Sequence, residues 1–235
     1  MRDTLPHAHF DAEIDTVSAR LLAMGGLAES QLSQALYGIT RSSGETASQV
    51  LEMEGRLNAA EVELDRELWA MMARQQPTAR DLRLLIAVSK MVRDLERVGD
   101  EAARIARTTH RLLAYGLAGA LREPLAGVGA TGQLALQQLR QALDAFARRD
   151  PQQALAVLRS DETLDAGFEQ LIRLLVQRMG DDPRSITPGI DLVFVAKALE
   201  RVGDHAKNLA EQVIYCVSGT DVRHTPMSGV ESIVN

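Results

Sequence analysis

The hexapeptide LERVGD, residues 95–100, recurs unchanged as residues 199–204. Around the first copy, Leu84, Val88, Met91, Leu95, Val98, Ala102 and Ile105 step by 4, 3, 4, 3, 4, 3. That spacing is one face of an α-helix and the seam of a helical bundle. It predicts a helix from about Asp81 past Leu112. The second copy falls in a helix predicted over Ile190–Val217. Placing Glu96 on Glu200, an offset of 104, also lays Ala102 on Ala206, Ala106 on Ala210 and Arg93 on Lys197. In the preceding helices an offset of 107 lays Val50-Leu51 on Val157-Leu158, Glu54 on Asp161 and Asn58 on Asp165. The chain reads as an internal duplication of a three-helix unit.

The remaining helices complete that unit twice. Phe10, Ile14, Val17, Leu21, Met24 and Ala28 share one face of a first helix, with a break or bend expected at Gly25-Gly26. A second helix is predicted over Thr46–Arg74. Residues 116–132 hold five glycines and Pro124, and loosening is expected there. A fourth helix is placed from Gln133 to Arg148. Asp150 should cap a fifth that starts at Pro151 and ends near Met179. Residues 218–235 show no periodicity and are expected to fray. The expected fold is all-α: two tandem, pseudo-symmetric three-helix bundles, residues 1–118 and 119–235.

Composition supports this reading and narrows function. Of 235 residues, 46% are hydrophobic, enough for a packed core, and only 3% are aromatic, which favours helices over sheets. A net charge of −6 argues against nucleic acid as the partner. A single cysteine, Cys216, fits a reducing cytoplasm. MRDTLPHAHFDAE has no apolar run of a signal peptide. No stretch approaches the roughly 20 apolar residues of a membrane span, so no direct membrane insertion is expected.

The duplicated hexapeptide carries a glutamate and an aspartate four residues apart. Residues so spaced share a helix face, with Cβ atoms about 6 Å apart. With the seam at heptad positions a and d, Glu96 is at b and Asp100 at f, pointing away from the core; Glu200 and Asp204 follow by the repeat. The plainer reading is a solvated face laced by the i,i+4 pairs Asp100–Arg104, Arg97–Glu101 and Lys207–Glu211. The alternative is a cation site, since paired carboxylates are hard oxygen ligands. The fifth helix adds Asp161 and Asp165. The second adds Glu54 and the neutral, weaker Asn58. Asp161 lies on the apolar stripe of Val157, Leu164, Phe168 and Leu171 and needs a partner; composition favours a nearby arginine over a metal. Gly99 and Gly203, each costing about 1 kcal/mol in mid-helix, imply close approach by a helix, a ligand or a metal-bridged side chain. His7 and His9 read as terminal and exposed, although His9 could share a face with Glu13. Cys216 reads as a buried, inert thiol. No phosphate loop, HExxH, nucleophile elbow or CxxC is present. No Glu-x-x-His occurs either, which disfavours a di-metal bundle enzyme.

The doubled LERVGD, the stretch RQQPTARDLRLLIAVSKMVRDLERVGD, LLAMGGLAE in the first helix and ALERVGDHAKNLAE in the last resemble the PhoU family of bacterial phosphate-signalling regulators. The resemblance runs from about Phe10 to His224. It implies a six-helix fold of two related bundles, and a cytoplasmic regulator rather than an enzyme. It implies two partners: the ATPase subunit of the high-affinity phosphate ABC transporter, and a phosphate-sensing membrane histidine kinase. Such a protein holds the starvation response off and restrains uptake when phosphate is plentiful. The resemblance also implies a homodimer. It further implies divalent or iron-type metal ions at surface E(D)xxxD motifs, which map onto Glu96/Asp100, Glu200/Asp204 and Asp161/Asp165. Asn58 departs from that pattern. A surface-carboxylate metal store is the alternative function.

Overall fold

A computed structural model describes the backbone of residues 4–75, 77–115 and 122–235, and side chains outside 4–11 and 75. Among the described residues seven α-helices follow in order: α1 (Thr4–Arg41), α2 (Gly44–Gln75), α3 (Ala79–Ala114), α4 (Arg122–Arg148), α5 (Pro151–Asp181), α6 (Ile186–Ser218) and α7 (Met227–Val234). There is no strand among the described residues. The fold is two tandem, pseudo-symmetric three-helix bundles. Helices α1, α2 and α3 pack on one another, as do α4, α5 and α6, and the bundles meet through α3–α6 and α1–α4. Helix α2 touches only α1 and α3 among the described residues. Four helices therefore form the centre, with α2 and α5 as flanks. The expected division at 118/119 lies outside the described residues, as do the side chains of His7 and His9.

The seam read around LERVGD is the core. Val88, Met91, Leu95, Val98, Ala102 and Ile105 are all fully buried, and each large side chain contributes about 1.5–3 kcal/mol by leaving water. The duplication also fixes how the bundles meet. A Cβ on Gly25 of α1 would overlap Leu143 of α4, and one on Gly132 of α4 would overlap Leu36 of α1. Gly25 and Gly132, and Leu36 and Leu143, are related by the same offset of 107. This is a reciprocal contact, as across a two-fold axis.

That contact corrects two expectations. Helix α1 runs unbroken through Gly25-Gly26; Gly25 admits the neighbouring helix instead of ending its own. Helix α4 begins at Arg122, not Gln133. Its glycines are sites of approach: Gly127 lies against Leu171, Gly129 against Thr40 and Gly132 against Leu36. Pro124 is tolerated because it sits in the first turn. For the same reason Pro188 lies inside α6, which starts at Ile186 rather than Ile190.

The helix pairs turn alike in each bundle. The Ser43 amide donates to the Gly38 carbonyl at 2.8 Å, and Asp150 donates to Ala145 at 2.9 Å. Ser42 (φ 54°) and Arg149 (φ 52°) occupy the left-handed position after each helix. This is the Schellman arrangement, repeated at an offset of 107. Asp150 then caps α5 as expected, accepting from the Gln152 and Gln153 amides, with Pro151 next to it. The tail does not fray. Val222 and Val230 are buried, α7 rests on α5 and α6, and Arg159 pairs with Glu231 at 2.6 Å. Ile233 and Val234 pack against the core beside Val230; their helical spacing spans a single turn of an eight-residue helix, too little to stand out as periodicity.

Candidate functional site

Glu200 and Asp204 of α6 face α5, and Glu96 and Asp100 of α3 face α2. The glycine inside each hexapeptide sets this placement. A Cβ on Gly203 would overlap Leu164 of α5 and stand 3.0 Å from the Gln138 Oε1; a Cβ on Gly99 would overlap Leu57 of α2 and stand 3.0 Å from the Gln31 Oε1. The close approach inferred from these glycines is thus made by neighbouring helices. It draws the flanking glutamates toward the interhelical grooves, while Asp204 stays exposed. Glu96 keeps 16% of its side-chain surface and Glu200 19%. They are half-buried, rather than on the fully outward face read from the heptad.

In the second bundle the four acids read from sequence come together. Asp161 accepts from Lys207 at 2.6 Å, and Lys197 lies 2.6 Å from Glu200. The partner of Asp161 is therefore a lysine, not the expected arginine. Among the described residues, neither Asp165 nor Asp204 has such a cation of its own. Burial pushes the Asp165 carboxyl above its usual range, and the charges of Asp161 and Glu200 push it further. Asp204 is raised by burial, then by Glu200 and Asp161. The hydrogen bond to Asp161 in turn raises the Lys207 ammonium.

The first bundle is built differently. Glu54 pairs with Arg107 at 2.9 Å, and Asn58 is exposed. The carboxylates that bear on Glu96 and Asp100 come instead from two turns further along α2. Glu61 is raised by burial and by Asp65; Glu96 is raised by burial, then by Asp100, with Glu61 a smaller contributor. Glu61 and Asp65 are themselves a Glu-x-x-x-Asp pair. That spacing was the available signal, and the repeat hid it, because an offset of 107 puts Phe168 and Ile172 opposite. Arg97 bridges the hexapeptide acids, 3.1 Å from Asp100 and 3.5 Å from Glu96.

The i,i+4 pairs expected on these faces are replaced. Arg97 reaches Asp100, Arg104 reaches Glu101 at 3.0 Å, and Lys207 crosses to Asp161. Glu101 is buried and also accepts from Arg201 at 3.1 Å, while Asp94 accepts from Asn208 at 3.0 Å and lies 2.8 Å from the His205 Nδ1. These contacts cross from α3 to α6 and tie the bundles together. Burial pushes the Cys216 thiol up to about 11, in keeping with an inert role.

Chemically, the second bundle offers four carboxylates against two lysines in a shallow groove. These are hard oxygen donors with an excess of negative charge, a set that suits a divalent cation. They do not close into a shell: among the described residues, no three Asp, Glu, His or Cys side chains converge as a metal-holding group. The crowding has a measurable consequence. A carboxyl raised above its unfolded-state value gives full stability only below that value, near 3.8 for aspartate, and loses it as pH rises through the raised one. Asp165→Asn/Asp204→Asn is therefore expected to melt higher than the parent at pH 7. The gap should close near pH 4. A lower melting temperature at pH 7 would show that the acids stabilise the fold.

The comparisons with known proteins agree with this architecture. The family model described as PhoU domain matches residues 21–109 and 130–213, one match in each bundle. A Pseudomonas aeruginosa "Phosphate-specific transport system accessory protein PhoU homolog" is 41% identical over 236 residues, spanning 99% of this chain and 96% of that protein. The Escherichia coli "Phosphate-specific transport system accessory protein PhoU" is 35% identical over 216 residues, 92% of this chain and 88% of that one. The crystal structure of PhoU from Pseudomonas aeruginosa superposes with a TM-score of 0.84 at 41% identity, over 90% of this chain and 100% of that chain. With a family match in each bundle and such relatives along nearly its whole length, the chain belongs to the PhoU family.

Proposed function

We propose that this chain is a regulatory accessory protein of a phosphate-specific transport system. It acts in the cytoplasm as an adaptor, joining the ATPase subunit of a high-affinity phosphate ABC transporter to a phosphate-sensing membrane histidine kinase. When phosphate is plentiful it holds the starvation response off and limits uptake. The observation that carries this reading is the similarity to named accessory proteins across both bundles. No helix among the described residues is long and apolar enough to cross a membrane, so contact with the membrane runs through the partners. A homodimer is part of the same proposal.

A second reading, a metal-binding or storage protein, is favoured by the crowded Asp161, Asp165, Glu200 and Asp204. A divalent or iron-type ion there would take the place of Lys197 and Lys207 as counter-charge. One experiment separates the two. The intact chain and Glu96→Ala/Asp100→Ala/Glu200→Ala/Asp204→Ala are passed over the immobilised ATPase subunit and the kinase's cytosolic region, and their metal content is measured. The adaptor reading expects both chains to be captured by both baits, with metal uptake lost in the variant. Capture of neither chain contradicts it, and capture lost together with metal makes the metal the basis of binding.

A further inference from the structure

A cavity of about 510 Å³ opens at the end of the four central helices, away from the carboxylates. Every central helix contributes to it: Ile14 and Asp15 from α1, Arg80 and Arg83 from the start of α3, Phe146 near the end of α4, and Val213 and Cys216 from the end of α6. Arg149, just past α4, completes the lining. Both bundles therefore build it.

Its polar lining is unusual for this acidic chain. Three guanidinium groups, Arg80, Arg83 and Arg149, face two carboxylates, Asp15 and Asp81. Asp81 is engaged by the Thr78 hydroxyl at 2.5 Å. Asp15 is 79% exposed and stands 4.0 Å from Arg149, the outer limit of an ion pair. Neither Arg80 nor Arg83 has an ion-pair partner among the described residues, and the buried Nε of Arg83 has no hydrogen-bond acceptor. The Arg83 guanidinium lies against Gly219, where a Cβ would overlap it. Gly219 is also left-handed, with φ 78°, so the helix end and the arginine are fitted together. Arg149 occupies a left-handed position that glycine would fill with less strain, yet it carries a guanidinium to the rim. The positive end of the α3 dipole adds to the field. Cys216 is a neutral thiol and adds no opposing charge.

We propose that this cavity binds a small phosphorylated ligand, its phosphate oxygens seated on Arg80, Arg83 and Arg149 and its body on the apolar floor of Ile14, Leu84, Phe146 and Val213. Planar guanidinium forks match phosphate oxygens bidentately. The volume lies within the ~300–1,000 Å³ of small-molecule sites, so there is room for more than a bare phosphate ion. A ligand held by α1 and α3 on one side and α4 and α6 on the other bridges the bundles. The site goes beyond the adaptor reading and stands without it.

The test is calorimetric titration of the intact chain at low salt with inorganic phosphate, AMP and adenosine. The variants are Arg80→Gln, at an exposed position, and Arg149→Gly, which relaxes the backbone it alters. Both should fold, as circular dichroism will check. Binding of AMP or phosphate that each variant weakens about tenfold, the loss of one charge-assisted contact, is the expected result. AMP binding more tightly than phosphate identifies a nucleotide-type ligand; equal binding identifies the free ion. The proposal is overturned if neither binds, if both variants bind unchanged, or if adenosine binds as well as AMP.

Discussion

Gly99→Val combined with Gly203→Val is expected to cost about 5 kcal/mol. Overpacking a closed core costs typically 1–3 kcal/mol per site, and both sites lie at the demanding end. At Gly99 a Cβ would overlap the fully buried Leu57 and approach the Gln31 Oε1; at Gly203 the same holds for Leu164 and Gln138. The two sites share no partners, so their costs should add. The sum is a large share of a typical stability of about 5–15 kcal/mol. Helix propensity gives the contrast. Gly26 and Gly55 have nothing within 4 Å of a built Cβ, and alanine at either should gain up to about 1 kcal/mol. Denaturant unfolding of the combined valine variant and the two alanine variants measures both signs. A double-mutant cycle with Leu57→Ala should recover part of the Gly99→Val loss. If valine is tolerated at both glycines, the close packing of α2 and α5 on the hexapeptides is wrong.

Much of the fold was legible because one physical signal repeated. The seam through Leu95 and Val98 could be read at helical period, and its copy 104 residues later told of two bundles. What misled was glycine. Gly25 and residues 127–132 look like breaks to a local reading, because glycine lowers helix propensity wherever it stands. The compensation lies in α1–α4 packing, and one helix's sequence does not display the helix it meets. The tail was missed for a related reason: Val230, Ile233 and Val234 dock one short helix, and one turn of apolar spacing is too brief to read as a period.

The site was legible in its second half and not in its first. Asp161 and Asp165 were found by laying α2 on α5, and the structure brings them to Glu200 and Asp204. The same operation pointed to Asn58 and passed over Glu61 and Asp65. The duplication has diverged there: α2 presents its acids two turns later, and Arg97 and Arg107 take roles that Lys197 and Lys207 fill in the other bundle. Only the pairing across helices reveals this. The arginine-lined cavity was not legible at all, since its residues come from four separate stretches of the chain.

Loss of the chain should have a larger effect in the cell than any single substitution. If it carries the plentiful-phosphate signal to the kinase, its absence leaves the kinase unrestrained whatever the phosphate supply. Regulatory couplings commonly span roughly 5–150-fold, and release of the response by about tenfold or more is expected. The carboxylates should matter less. Asp204 is exposed and Glu96, Asp100 and Glu200 are only partly buried, so their truncation should leave the helical surfaces intact. Glu96→Ala/Asp100→Ala/Glu200→Ala/Asp204→Ala is therefore expected to restore most of the repression.

The most direct test is a phosphate-starvation reporter, such as alkaline phosphatase activity, in a deletion strain grown in excess phosphate. The account predicts high activity that the intact gene returns to its low level. Activity that stays low in the deletion strain would contradict the regulatory role and leave metal storage as the stronger reading.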